Sequence, residues 1–444
     1  MIAPVLAIGI LLAMTGAPDL IRSARAVPDA PPVGVSATPA ASEAPSQSAA
    51  AEPSGVYTVD GAAETSDGGV ISSSNPGESA VLVKNGGSLA MKNATLTKSG
   101  DTLDAAVSAS FGLNAALLAS GGAASIYDSA VTTAGEGATA IFTSGAATVE
   151  AFNASLTTSG TGARGIAAAG GTISARSAEI TTAGLRSEAV AAGDGGTVTI
   201  DDAALSTTGD LSPILHAAGE ISARNLTGAA TASRMVEVEG GDVALSDSDL
   251  SGAGENGILL YQVLRDAART ATFTAVRTNL ASSAVGPFFL VTNTAAEAIL
   301  SGSTLSFSSG ILAQVSGNNT EGLGEPGENG GDFSLTGVGQ ALSGDVTVDA
   351  ISAFSLKLTN GSIYTGAIDA SNVGASVSVL LDETSSWTLT ADSHVDALTD
   401  LKTDLTNIQS DGFLLYYNAE NPENAWLSGR TLPLPGGGSL VPEP

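Results

Sequence analysis

Cysteine is absent from the 444-residue chain, which excludes a disulfide framework and a thiolate metal site. Aromatic residues are scarce at 4%, so a thick globular core filled by bulky side chains is excluded as well. Cations are few: 16 Lys and Arg stand against 45 Asp and Glu, for a formal net charge of -29. Such a chain repels nucleic acid phosphates and anionic lipid headgroups, so neither is an expected partner. An acidic surface attracts divalent cations, so weak Ca²⁺ binding is the most that is expected, and no cofactor. Beyond residue 17 there is no long apolar run, so the mature chain is not expected to insert into a membrane.

What is present is glycine, at 54 residues, together with alanine, threonine and β-branched residues in a repeating phrase. An apolar position recurs as Ile141, Ile166, Val190, Ile214, Val236 and Ile258. A glycine turn follows at Gly145, Gly170-Gly171, Gly195-Gly196, Gly219 and Gly240-Gly241. A second apolar position is Val149, Ile173, Val198, Ile221 and Val243, and a third is Leu156, Ile180, Leu205, Leu226 and Leu250. Three short β segments per phrase, with turns between them, make one coil of a parallel β-helix. The expected fold is therefore all-β, a β-solenoid with coils of about 22–25 residues. Helix is disfavoured by the recurring Gly, Ser and Thr and by apolar runs too short for a 3.6 period.

The chain divides by composition. Residues 1–26 read as a signal peptide, with an apolar run over residues 3–17 and the small-x-small pattern Ala24-Arg25-Ala26. Residues 27–55 form a linker rich in Pro, Ala and Ser. The β-helix is expected over residues 56–395, and a C-terminal cap and tail over 396–444. The aromatics Trp387, Phe413, Tyr416, Tyr417 and Trp426 concentrate near that end, where a solenoid must cover its last rung. The leader implies a secreted or cell-surface protein.

Few residues carry recognisable chemistry. The two histidines, His216 and His394, have no partner at a metal-ligand spacing, and no catalytic, cofactor-binding or metal residue is assigned. Asp201-Asp202 and Asp247 with Asp249 are acidic pairs that neighbouring coils would stack, by accident of the repeat, at glycosidase-like separations. Arg265, Arg269 and Arg277 form a basic cluster, expected to pair with acidic residues of adjacent coils. Residues 316–332 form a loop bearing Glu321, Glu325, Glu328 and Asp332, whose spacing matches no calcium motif; a solvated loop is expected. The pairs Thr132-Thr133, Thr157-Thr158, Thr181-Thr182 and Thr207-Thr208 recur at one phase. An outward threonine ladder would order water for ice binding, but β propensity accounts for it more simply. The insertion at residues 101–114 is expected to be a loop on one face.

The phrases Phe111-Gly112-Leu113-Asn114-Ala115-Ala116-Leu117-Leu118-Ala119 and Thr157-Thr158-Ser159-Gly160-Thr161-Gly162-Ala163 resemble those of secreted bacterial right-handed parallel β-helix proteins. So do Trp387-Thr388-Leu389-Thr390 and the closing Gly436-Gly437-Gly438-Ser439-Leu440-Val441-Pro442. The resemblance covers roughly residues 56–442 and implies a pectin-lyase-like, right-handed, adhesin-like solenoid. It carries no functional residues. Leu432-Pro433-Leu434-Pro435-Gly436 departs from a sortase signal at Pro435, and Val441-Pro442-Glu443-Pro444 matches only the start of an exosortase signal. The leading expectation is a non-enzymatic, adhesin-like binding scaffold for a glycan, an extracellular matrix component or a host surface. A polysaccharide lyase or hydrolase is the second reading and an ice-binding protein the third.

Overall fold

Strands of three to seven residues with inward and outward side chains in alternation cannot bury their apolar face alone; stacking similar strands does it. The computed structural model describes residues 52–443, and they form a parallel β-solenoid. The expected signal peptide and nearly all of the expected linker lie outside the described residues. Each regular coil contributes one strand to each of three sheets. Sheet A has 12 strands, from Gly55–Asp60 to Asp345–Val348, and sheet B has 14, from Ala63–Asp67 to Ala397–Asp400. Sheet C has 10, from Val70–Ser73 to Thr304–Phe307. At ~4.8 Å between strands, sheet B is roughly 60 Å long.

The repeat read from the sequence is the pairing register. Ile141 pairs with Ile166 and Ile166 with Val190 on sheet A, Val149 with Ile173 and Ile173 with Val198 on sheet B, and Leu156 with Ile180 and Ile180 with Leu205 on sheet C. These residues are buried and form one continuous core. The expected phase slips at one coil: Leu215, not Ile214, pairs with Val190 and Val236. Ile214 is still buried, in the corner just before the strand. The slip turns His216 outward, because neighbouring strand residues point to opposite faces.

Two corner columns make the winding tight. Between sheets C and A, Gly100, Gly135, Gly160, Gly184 and Gly209 stack so closely that a Cβ on Gly160 would lie 1.9 Å from the Gly135 carbonyl oxygen. Between sheets B and C, the corner residues Asn93, Asp128, Asn153, Ser177, Asp202, Asn225, Asp247 and Arg277 all have φ of 50–53°. Asn and Asp tolerate that left-handed conformation better than other non-glycine residues. They also bond along the column, with Asn153 Nδ2 donating to Asp128 Oδ1 (2.8 Å) and Asn225 Nδ2 to Asp202 Oδ1 (2.7 Å).

The insertion at 101–114 contains a short helix, α1 (Ala105–Phe111), capped by Asp104 and ended by Gly112 in the left-handed region. It leans on the outer face of sheet A, where Gly112 lies against the Phe142 ring. Leu82, Leu118, Phe142 and Ala167 are buried there in a second, outer apolar cluster.

After residue 307 a four-stranded sheet replaces sheet C, using Ala341–Ser343, Ile363–Thr365, Ser386–Thr388 and Ile408–Gln409. The coil therefore continues past the expected boundary at 395. Trp387 and Tyr364 are core residues of this sheet, with ring centroids 6.0 Å apart, and not cap residues. The end is closed by the 3₁₀ helix Pro422–Leu427 and by Leu432–Pro433, which runs antiparallel to Ser439–Glu443. Trp426 Nε1 bonds the Leu398 carbonyl at 3.0 Å, fixing that closure to the last strand of sheet B.

Candidate functional site

The outer face of sheet A changes character along one column. Its central outward residues run Leu118, Phe142, Ala167, Ala191, His216, Glu237 and Leu259. Where the apolar stretch ends, a polar network begins. Arg164 and Glu188 occupy equivalent corner positions in successive coils, the Gly165 amide bonding the Glu188 carbonyl. Their side chains meet with Arg164 Nε 2.7 Å from Glu188 Oε2. The other Glu188 oxygen lies 3.7 Å from His216 Nδ1, and His216 Nε2 is 3.3 Å from Glu239 Oε2. The Tyr261 hydroxyl donates to Glu239 at 3.5 Å, and Arg234 pairs with Glu237 at 3.1 Å. Arg164 also donates to the carbonyl of Ala109 in α1.

Three carboxylates thus face two arginines and one imidazole, and with all three carboxylates ionised the charges balance when His216 is protonated. Burial disfavours the charged imidazole, but hydrogen bonds to Glu188 and Glu239 and the Glu188 charge overcome it and raise the pKa to about 10. Burial likewise opposes ionisation of Glu188, yet Arg164 and His216 hold its carboxyl down at about 2. Burial raises Glu237, with Arg234 acting in the opposite direction. Burial and the charges of Glu237 and Glu239 raise the Tyr261 phenol. At neutral pH His216 has no free lone pair to accept a proton and Glu188 has no proton to give, so this pair is poorly matched to acid–base work.

The residues singled out in the sequence fall elsewhere. His394 stacks on Tyr416, centroids 4.6 Å apart, with Nδ1 3.2 Å from Glu443, on a sheet remote in sequence from His216. Asp201 and Asp202 are engaged by Arg224 (3.4 Å) and Arg176 (3.2 Å). In the corner column Asn225 stands between Asp202 and Asp247, so those carboxylates are not stacked on one another. Each arginine pairs with an acidic residue, but only Arg277, with Asp247, does so on the adjacent coil as expected; Arg265 reaches Asp332 two coils on and Arg269 reaches Asp194 three coils back. The loop at 316–332 is stitched by Asn318 and Asn329, which donate to the Leu323 carbonyl, while Glu321, Glu325 and Glu328 are exposed. Among the described residues no group of three or more His, Asp or Glu is placed to hold a metal ion. The threonine pairs split: Thr132, Thr157 and Thr181 face outward, whereas Thr133, Thr158 and Thr182 are buried on the core side.

Sequence reasoning missed Arg164, Glu188, Arg234, Glu237, Glu239 and Tyr261. A signal existed. Arg164, Glu188 and Arg234 each stand two residues before an apolar position of the repeat, so alignment by coil phase would have placed opposite charges in one column.

The other notable surface is sheet C. Its outward residues are mostly Ser, Thr and Ala, and three adjoining depressions of about 410, 590 and 660 Å³ cross it toward the corner with sheet A. No protein-family model matches the chain, and no curated protein or solved structure matches it.

Proposed function

We propose that the chain is a secreted or surface-exposed binding scaffold, adhesin-like and non-enzymatic, on a right-handed, pectin-lyase-like β-helix. The observation that carries this reading is the run of depressions over sheet C, floored by small hydroxyl-bearing and methyl side chains from successive coils. A solenoid face repeats its contacts every ~4.8 Å, so weak contacts with an extended ligand accumulate. Glu188 is turned toward both Arg164 and His216, which suits the network to stabilising the rod. The ligand class is an extracellular glycan, a matrix component or a host-surface molecule. An array of glycans and matrix proteins probed with the mature chain tests the proposal, and saturable binding is the expected result. Release of reducing ends or unsaturated sugars from a polysaccharide panel would overturn it in favour of a carbohydrate-active enzyme.

A further inference from the structure

The three depressions on sheet C are one trough. The first and second share Ala229, Ser251 and Ala281, and the second and third share Ala253 and Ser283. It starts beside Glu179, crosses the strands obliquely, and ends at the corner between sheets C and A. We infer that this trough docks an extended, cationic peptide segment of a partner protein, with an apolar side chain seated at the corner. This deepens the binding-scaffold reading and rests on it.

Three observations point to that occupant. The floor carries Ala229, Ala253 and Ala281, small enough for another backbone to approach closely. The corner end is apolar: Leu185, Leu211 and Val285 are 44%, 50% and 92% exposed around it. Leu211 has φ of 52°, as has Arg186 one coil earlier, where the coils before them place Gly137 and Gly162 at 64° and 66°. A branched side chain in the left-handed region is strained, and this one does not reach the core. Its exposure beside that of Leu185 and Val285 marks a contact surface.

The third observation is charge. Glu179 and Asp249 lie along the near end, and Asp210 and Glu255 flank the apolar corner. All four are exposed. Arg234, which lines the corner, is held by Glu237, and Arg186, exposed one coil before Leu211, sets one positive charge against Asp210 and Glu255. Acidic side chains around an apolar socket fit a segment that presents an apolar residue between lysines or arginines. A neutral glycan would leave the socket unused, and a second copy of a chain with net charge -29 is repelled. From the strand bearing Glu179 to the strand bearing Phe307 there are five inter-strand steps. That distance is about 24 Å, the length of seven or eight extended residues.

The test is fluorescence anisotropy of the mature chain with a labelled eight-residue Lys/Leu/Ser peptide. Its analogue with Glu for Lys and a neutral oligosaccharide serve as comparators. The cationic peptide is expected to bind, more weakly as salt rises, and the acidic analogue not to bind. Leu211→Gly, which relieves backbone strain, and Val285→Ser, at an exposed site, should each weaken binding about tenfold while leaving thermal unfolding intact. Glu255→Gln should weaken it about twofold to fivefold and flatten the salt dependence. Absence of binding, or affinity indifferent to both corner variants, overturns the inference. So does concentration-dependent dimerisation abolished by Val285→Ser. Glycan binding unaffected by those variants would overturn the inference while leaving the scaffold reading intact, and an array without any ligand would remove both.

Discussion

Replacing His216 by glutamine isolates the charge balance on sheet A. The native imidazole is raised from 6.5 to about 10, so at 1.36 kcal/mol per pKa unit its protonation contributes about 4–5 kcal/mol at most. The sign follows from the direction of the shift. A raised pKa means the native state binds the proton more tightly, so the full contribution is present below pH 6.5. It declines as pH rises and is gone above about pH 10; about 3 kcal/mol remains at pH 8. Glu188 is depressed to about 2, so its own contribution is constant throughout this alkaline window and is lost only as pH falls from about 4.5 to 2. Chemical denaturation at several pH values between 6 and 10 should show native stability falling by about 1.4 kcal/mol per pH unit relative to His216→Gln. The chain has only two histidines, so imidazole carbon shifts give an independent readout: one imidazole should stay protonated at pH 8 and be absent from the variant's spectrum. Parallel stability curves, or neutral His216 at pH 8, would refute the reasoning.

Further consequences are open to measurement by the same denaturation assay. Gly184→Ala places a Cβ 1.9 Å from the Gly160 carbonyl oxygen and should cost about 3 kcal/mol or more. By contrast Gly145→Ala, with φ of 61° and open space around it, should cost only the left-handed strain of about 1–2 kcal/mol. Asn225→Ala removes both a tolerant corner residue and the 2.7 Å bond to Asp202, for about 1–2 kcal/mol, with Asn225→Gly recovering the backbone part. Phe289→Ala opens a cavity among Phe273, Phe288 and Phe333, whose ring centroids lie 5.0–6.1 Å away, and should cost about 3–5 kcal/mol.

The coil was legible because its determinants are local. The apolar residue of each strand, the glycine at each corner and the alternation Val198-Thr199-Ile200 are set within a few residues of one another. The polar network was not, because its partners are one coil apart: Arg164 and Glu188, or His216 and Glu239, are separated by 24 and 23 residues. Contacts at that separation become visible only when the register is known to the residue, and the slip from Ile214 to Leu215 is enough to misplace His216. The insertion at 101–114 was recognisable as a break in the repeat, but the short run Ala105–Phe111 carries too little pattern to announce a helix. Trp387 reads as a cap residue in the sequence because it belongs to the aromatic group near the last coils. The core admits it because a four-stranded sheet replaces sheet C in that region, and its Nε1 finds the Gly366 carbonyl at 2.9 Å.

The alternation of amide and carboxylate at the corner between sheets B and C has a bearing on how such a chain can grow or shrink. Removal of the single coil that carries Asn225 would set Asp202 directly beneath Asp247, two like charges at the strand spacing of ~4.8 Å. Removal of two consecutive coils, those carrying Asn225 and Asp247, would instead bring Asp202 against Arg277. Tandem duplication obeys the same parity: repeating Asp202 and Asn225 together preserves the order, and repeating Asp202 alone does not. Across Asp202, Asn225 and Asp247, then, loss of two turns keeps unlike groups stacked where loss of the middle one does not.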